Sequence, residues 1–259
     1  MYEFHNIVDY LNEVLFNLVH LGHNQRIRAQ ILINQIYFTG IQALPLVIII
    51  SFLLGVFVVQ MGLFIIGGGG ELKWVYEILI TSVIRDIAPI VISIILLLRS
   101  GTAISTEIGV MKVNNEVDAL LVLGISPISY LVTPRIVGMV GSIILLSIYF
   151  GVIGIIGGFF VTQFNSAIPF EEFIYQLSRV LSLSDLFLMF FKNILCGFFI
   201  AGICTFRALQ CQVSLTEVPQ QNIKAVTQCV FTVLFINFIF IAGEFLNSNI
   251  MGLARYAGY

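Results

Sequence analysis

Charge is what this sequence has least of. Only 10% of its 259 residues are Asp, Glu, Lys or Arg, where soluble proteins carry about 25%. The 12 basic side chains nearly cancel the 14 acidic ones, so no basic surface exists to hold a nucleic-acid backbone and no nucleic-acid partner is expected. Histidine is scarcer still. His5, His20 and His23 all precede the apolar runs, which removes imidazole metal sites and nucleophile–base pairs from the rest of the chain. The aspartates, Asp9, Asp86, Asp118 and Asp185, are too scattered for a catalytic dyad within one span. Cys196, Cys204, Cys211 and Cys229 form no CxxC pair and read as small buried hydrophobes. The run Gly67–Gly70 has no Lys-Ser/Thr after it, so it is a flexible turn and not a phosphate loop. No catalytic residue, metal or cofactor is expected, and any nucleotide-driven work requires another chain. The N-terminus has no basic region ahead of an apolar core, so no cleavable leader is expected either.

What is abundant is apolar surface. Hydrophobic residues make up 59% of the chain, with 23 Phe, and the mean hydropathy is +1.03. Such a chain is an integral membrane protein, and continuous runs in place of period-two alternation exclude an outer-membrane barrel. A bilayer core of about 30 Å needs roughly 20 apolar residues as helix. Five stretches qualify: Ala43 to Gly67, Ile78 to Leu98, Ile136 to Phe164, Leu186 to Phe206 and Ala225 to Ala242. The expected fold class is therefore an all-α membrane protein with five transmembrane helices. With the N-terminus cytoplasmic, Arg26, Arg28, Arg99, Lys112, Arg135, Arg207 and Lys224 fall inside, against Lys73, Arg85, Arg179, Lys192 and Arg255 outside or within the membrane. That asymmetry favours a cytoplasmic N-terminus.

Before the first span, Ile7, Leu11, Val14, Leu15 and Leu18 recur on one helical face, opposite Asp9, Asn12, Glu13, Asn17 and His20. An amphipathic helix at the membrane surface fits that pattern, and so does a helix packed on a partner. The chain divides into this interfacial segment, 1–34, and a transmembrane domain, 35–259. Within the spans, Arg85, Asp86 and Lys192 are costly enough to mark function. Between the second and third spans, Asn114 or Asn115 can cap a helix with Glu116 and Asp118 in its first turn, ended by Gly124 and Pro127. The result is a helix of roughly nine residues, about 13 Å long, outside the bilayer. Gly154 and Gly158 form a small-xxx-small pair suited to close helix contact within the subunit or with a second copy.

These residues resemble the MlaE-type permeases, the membrane subunits of ABC transporters that work with MCE proteins. Gln35-Ile36-Tyr37-Phe38-Thr39-Gly40 with Leu44-Pro45 is similar to the family's approach to its first span. Arg85-Asp86-Ile87-Ala88-Pro89 resembles its Arg-Glu-Leu-Gly-Pro, with Asp86 for Glu and Ala88 for Gly. Glu107 to Val113, then Glu116, Asp118-Ala119-Leu120, Gly124, Pro127 and Pro134-Arg135, track the family signature, whereas Glu217 to Val226 depart from it. The resemblance implies a homodimeric permease that moves phospholipid between membranes, with a cytoplasmic ABC ATPase and an MCE-domain protein as partners. It places Arg85, Asp86, Arg99 and Lys192 in or near a lipid cavity. It also puts Glu107, Met111, Lys112, Glu116, Asp118, Leu120, Gly124 and Pro127 on a segment that couples to the ATPase. The implied location is a bacterial inner membrane or an organelle membrane of bacterial origin. The alternative is a transporter or channel driven by an ion gradient.

Overall fold

The computed structural model describes residues 7–19, 35–66, 78–166, 169–212 and 214–256. His5, His20, His23, Arg26, Arg28, Gly67–Gly70 and Lys73 lie outside the described residues. Every regular element among those described is a helix, which satisfies the backbone polar groups of apolar runs within each segment where water is lost as a partner. Among the described residues, five helical stretches are long and apolar enough to cross a bilayer: Gln35–Ile65, Val83–Val113, Ile128–Phe164, Leu183–Leu209 and Glu217–Glu244.

In chain order the elements are α1 (Ile7–Val19), α2 (Leu44–Ile66), α3 (Ala88–Leu96), α4 (Thr102–Val113), α5 (Glu116–Val122), α6 (Thr133–Ser166), α7 (Phe170–Val180), α8 (Leu183–Leu209) and α9 (Glu217–Tyr256). Three π-helical segments punctuate them, Leu79–Ile87, Leu97–Gly101 and Ile128–Val132. The first two join α3 and α4 into one helix running from 78 to 113.

The second span is therefore longer than Ile78 to Leu98, and the stretch after Arg99, expected outside the spans, stays helical as far as Val113. The helix persists because Gly101 lets it approach α8: a Cβ there would meet Cys204 Sγ at 3.2 Å. It breaks only at Asn114–Asn115, where Asn115 adopts φ 60°. The fifth span likewise begins earlier than Ala225, at Glu217, because Pro219 sits in the first turn, where a missing N–H costs nothing. Helix α7 has no counterpart among the expected elements. Its buried Phe173 and Leu177, with Glu171 and Glu172 in the first turn, form a short amphipathic pattern that the flanking apolar runs hide.

Helix α2 packs along α6, and α8 packs against α9, α6 and α4. The glycine pair expected on the third span makes its contact within the subunit. A Cβ on Gly158 would lie 2.9 Å from Val59 Cγ2, one on Gly55 would lie 2.0 Å from Gly154 O, and one on the neighbouring Gly157 would lie 2.5 Å from Phe52 O, so the α2–α6 seam closes only with hydrogen at Gly55 and Gly157.

Helix α1 forms as expected, and its inward face is the expected one rotated toward Tyr10. Tyr10 and Val14 are buried, Ile7 and Leu11 half-buried, and Leu15 is 46% exposed. Tyr10 sets that rotation: its hydroxyl donates to Thr205 Oγ1 at 2.9 Å, and its ring tilts on Phe206 at 5.4 Å. Burial raises the Tyr10 phenol above its ordinary pKa. Ser129 Oγ donates to Asn17 Oδ1 at 3.0 Å, so the helix is fastened to the bundle at two points.

Candidate functional site

Two groups of polar side chains stand at opposite ends of the helix running from 78 to 113, about 40 Å apart at 1.5 Å per residue. One is an ionic cluster and the other is the hairpin around α5.

The cluster is assembled from three helices. Arg85 and Asp86 lie on the π-helical segment before α3, Asp185 and Lys192 on α8, and Glu244 on α9. Arg85 Nη2 lies 2.7 Å from Glu244 Oε2, Arg85 Nη1 donates to Asp185 Oδ1 at 3.3 Å, and Arg85 Nε is 4.0 Å from Asp86 Oδ1. Lys192 Nζ donates to Asp86 Oδ1 at 3.0 Å and lies 3.8 Å from Glu244 Oε1. Lys192 is wholly buried, while the side chains of Arg85, Asp86, Asp185 and Glu244 keep 16–24% exposure, so the cluster opens to its surroundings on one side.

Local sequence explains why the lysine can be held there. Pro89 has no N–H to offer the carbonyl four residues back, and that carbonyl, Arg85 O, accepts from Lys192 Nζ at 3.3 Å. The π-helical turn brings Arg85 and Asp86 onto it, in keeping with the frequent use of π-bulges at functional sites. Asp185 is fixed by a capping box: Ser182 N donates to Asp185 Oδ2 at 3.1 Å, and Ser184 N donates to Ser182 Oγ at 3.3 Å. Deeper in the bundle the interior stays polar. Ser93, Asn193 and Asn237 are buried, and Asn237 Nδ2 donates to Val233 O at 2.8 Å.

The structure therefore brings Arg85, Asp86 and Lys192 together as expected, and adds Asp185 and Glu244. Arg99 is not with them. It sits about 21 Å further along the same helix, where its Nη2 donates to Gln42 Oε1 at 2.6 Å on the approach to the first span.

At the other end, α5 is a helix of 7 residues, shorter than expected. Asn115 occupies the N-cap position, but in a left-handed conformation and without a side-chain capping bond. The other terminus matches expectation. Gly124 takes φ 73°, Gly124 N donates to Leu121 O at 3.0 Å and Ile125 N to Leu120 O at 2.9 Å, which is a Schellman closure. Two ion pairs brace the hairpin. Lys112 Nζ reaches Asp118 Oδ1 at 2.9 Å and Oδ2 at 3.1 Å, and Arg135 Nη2 reaches Glu107 Oε1 at 2.8 Å. Glu116 is exposed beside Asn114, Met111 and Leu120 are half-buried, and Pro127 is buried. At the tip, Val122 is 88% and Leu123 72% exposed, more apolar surface than a solvated loop needs. No group of His, Cys, Asp and Glu suited to a metal ion occurs among the described residues.

Comparison with known proteins supplies the context. A family model described as Permease MlaE matches residues 32–242. A probable ABC transporter permease protein of Rickettsia typhi is 25% identical over 209 residues, covering 81% of each chain. The intermembrane phospholipid transport system permease protein MlaE of Haemophilus influenzae is 24% identical over 213 residues, covering 82% of each. A probable ABC transporter permease protein of Synechocystis is 27% identical over 217 residues, covering 82% of this chain and 81% of that one.

Proposed function

The chain belongs to the MlaE permease family, and from that membership we propose that it is the membrane subunit of an ABC transporter moving phospholipid between membranes. Residues 35–259 form the permease domain and 1–34 an interfacial segment. A second copy, a cytoplasmic ATPase and an MCE-domain protein complete the assembly. ATP is hydrolysed in the partner chain, and this chain does no catalysis.

The observation that carries this reading is α5: a short helix closed at its C-terminus by Gly124, braced by ion pairs on both sides, with Val122 and Leu123 bare at its tip. Apolar side chains held out on a braced hairpin suit a groove in a soluble protein. The hairpin side is cytoplasmic in this reading, as is the N-terminus, so the ionic cluster faces the outer side. There Arg85 suits a lipid phosphate, with Lys192 buried behind it and holding Asp86 in place. Arg99 serves only as a neighbour of the first span. The exposed strip of Phe231, Phe235 and Phe238 on α9 offers an apolar surface to lipid or to the second copy.

The test is co-purification. Replacing Val122 and Leu123 by Asp leaves the chain inserted and removes the ATPase from it. Recovery of the ATPase at wild-type yield refutes the assignment of α5, and lipid transfer by the chain without any ATPase returns the ion-driven alternative.

A further inference from the structure

Two buried polar atoms in the ionic cluster have no hydrogen-bond partner, and they are of opposite kind: the donor Arg85 Nε and the acceptor Glu244 Oε1. Unmade hydrogen bonds in such a place are costly and call for a reason. The other charges in the cluster are committed. Lys192 Nζ donates to Asp86 Oδ1 at 3.0 Å and to Arg85 O at 3.3 Å, and it only approaches Glu244 Oε1, at 3.8 Å, beyond hydrogen-bond range. Asp185 is divided between Arg85 Nη1 and Ser182 N. Arg85 spends Nη1 on Asp185 and Nη2 on Glu244, while its Nε–H is 4.0 Å from Asp86 Oδ1, beyond hydrogen-bond range.

The charge count points the same way. Among the described residues, two cations (Arg85, Lys192) meet three carboxylates (Asp86, Asp185, Glu244), a net charge of −1. A ligand bearing only a phosphate would deepen that excess. A ligand with one phosphate and one ammonium would leave it unchanged while supplying both missing partners.

Resting on the lipid-cavity reading above, we propose that the cluster selects a phosphoethanolamine headgroup. A phosphate oxygen accepts from Arg85 Nε–H, and the primary ammonium donates to Glu244 Oε1. The orphan acceptor needs a hydrogen-bond donor, which a quaternary choline lacks, and a glycerol headgroup donates only through neutral hydroxyls and brings no cation to offset its phosphate. Glu244 is thereby a specificity-determining residue, set beside the phosphate-binding Arg85 by their 2.7 Å ion pair.

The experiment is lipid competition. The full chain is purified in mixed micelles containing equal amounts of phosphatidylethanolamine, phosphatidylcholine and phosphatidylglycerol, and the retained lipid is identified by mass spectrometry. Phosphatidylethanolamine is expected to be enriched roughly tenfold over phosphatidylglycerol, the worth of one hydrogen bond to a charged group. Glu244→Gln brings that ratio down to the micelle composition, and Glu244→Asp keeps part of the enrichment. Equal retention of the three lipids by the wild-type chain, with total lipid reduced in Arg85→Ala, overturns the headgroup inference and leaves the cavity standing. Unchanged total lipid in Arg85→Ala overturns the cavity assignment itself. The wild-type competition needs no substitution, so it decides the proposal even if a variant fails to fold.

Discussion

Lys192 shows what a single ionisable side chain inside the bundle commits the rest of the structure to. It is 0% exposed and holds Asp86 at 3.0 Å. Taking away one member of such a pair leaves the other charge stranded, a loss of about 3–5 kcal/mol where both are fully buried. Asp86 keeps 24% exposure, which lowers the penalty. Lys192→Met is expected to cost about 3 kcal/mol, read as a lower thermal midpoint in detergent, and adding Asp86→Asn recovers part of it because the uncharged pair no longer strands a carboxylate. A double variant no more stable than the single one contradicts the pairing. Arg85, Asp86 and Lys192 were legible in the sequence because charge inside an apolar run has no ordinary reason to be there. Asp185 and Glu244 were not, since each sits at the end of its span, where a carboxylate is commonplace. Only the packing of three helices reveals that they belong together. Arg99, legible as a charge at the inner end of the second span, stands about 21 Å along the helix from Arg85 and pairs with Gln42.

Among the elements, the α2–α6 seam is the most exacting. Ala in place of Gly55 drives a methyl group into the Gly154 carbonyl at 2.0 Å, where backbone and not a flexible side chain must yield. Overpacking of that kind costs typically 1–3 kcal/mol. Gly55→Ala is therefore expected to lower the thermal midpoint clearly, whereas Gly243→Ala on α9, with nothing within 4 Å, leaves it unchanged or raises it. Equal midpoints for the two variants mean that the seam is looser than described. The sequence pattern announced a glycine-lined face on the third span but not its partner, because small-xxx-small spacing specifies a close approach without saying to what. The five spans were legible from apolar length alone. Their ends were not, since the helix from 78 to 113 continues past the membrane-length run on contacts with α8, and α9 begins ahead of its apolar stretch at Glu217. Helix α1 was legible as amphipathic, yet its buried face follows Tyr10, whose hydroxyl finds Thr205 on a helix nearly two hundred residues away.

At the scale of the whole molecule, the ionic cluster and the hairpin share the helix from 78 to 113, and the proposed coupling role of α5 makes the ion pairs around it the route for a push. Lys112–Asp118 ties α5 to α4. Glu107–Arg135 ties α4 to the start of α6, bridging the base of the hairpin. Under the proposed coupling role, the two pairs would pass a displacement of α5 to α4 and α6, and through α3 toward Arg85. A coupling free energy of 1–3 kcal/mol between sites corresponds to about 5–150-fold in response. Glu107→Arg sets two cations against each other at the base. It is expected to leave the ATPase bound and hydrolysing while phospholipid transfer in reconstituted vesicles falls about tenfold. Combining it with Arg135→Glu restores the pair with its polarity reversed and should return most of the transfer. Loss of the ATPase from Glu107→Arg would instead make Glu107, whose side chain is 63% exposed, a direct contact of the partner. Failure of the reversed pair to restore transfer would show that the brace carries no force, and that the two ends communicate through α8 and α9.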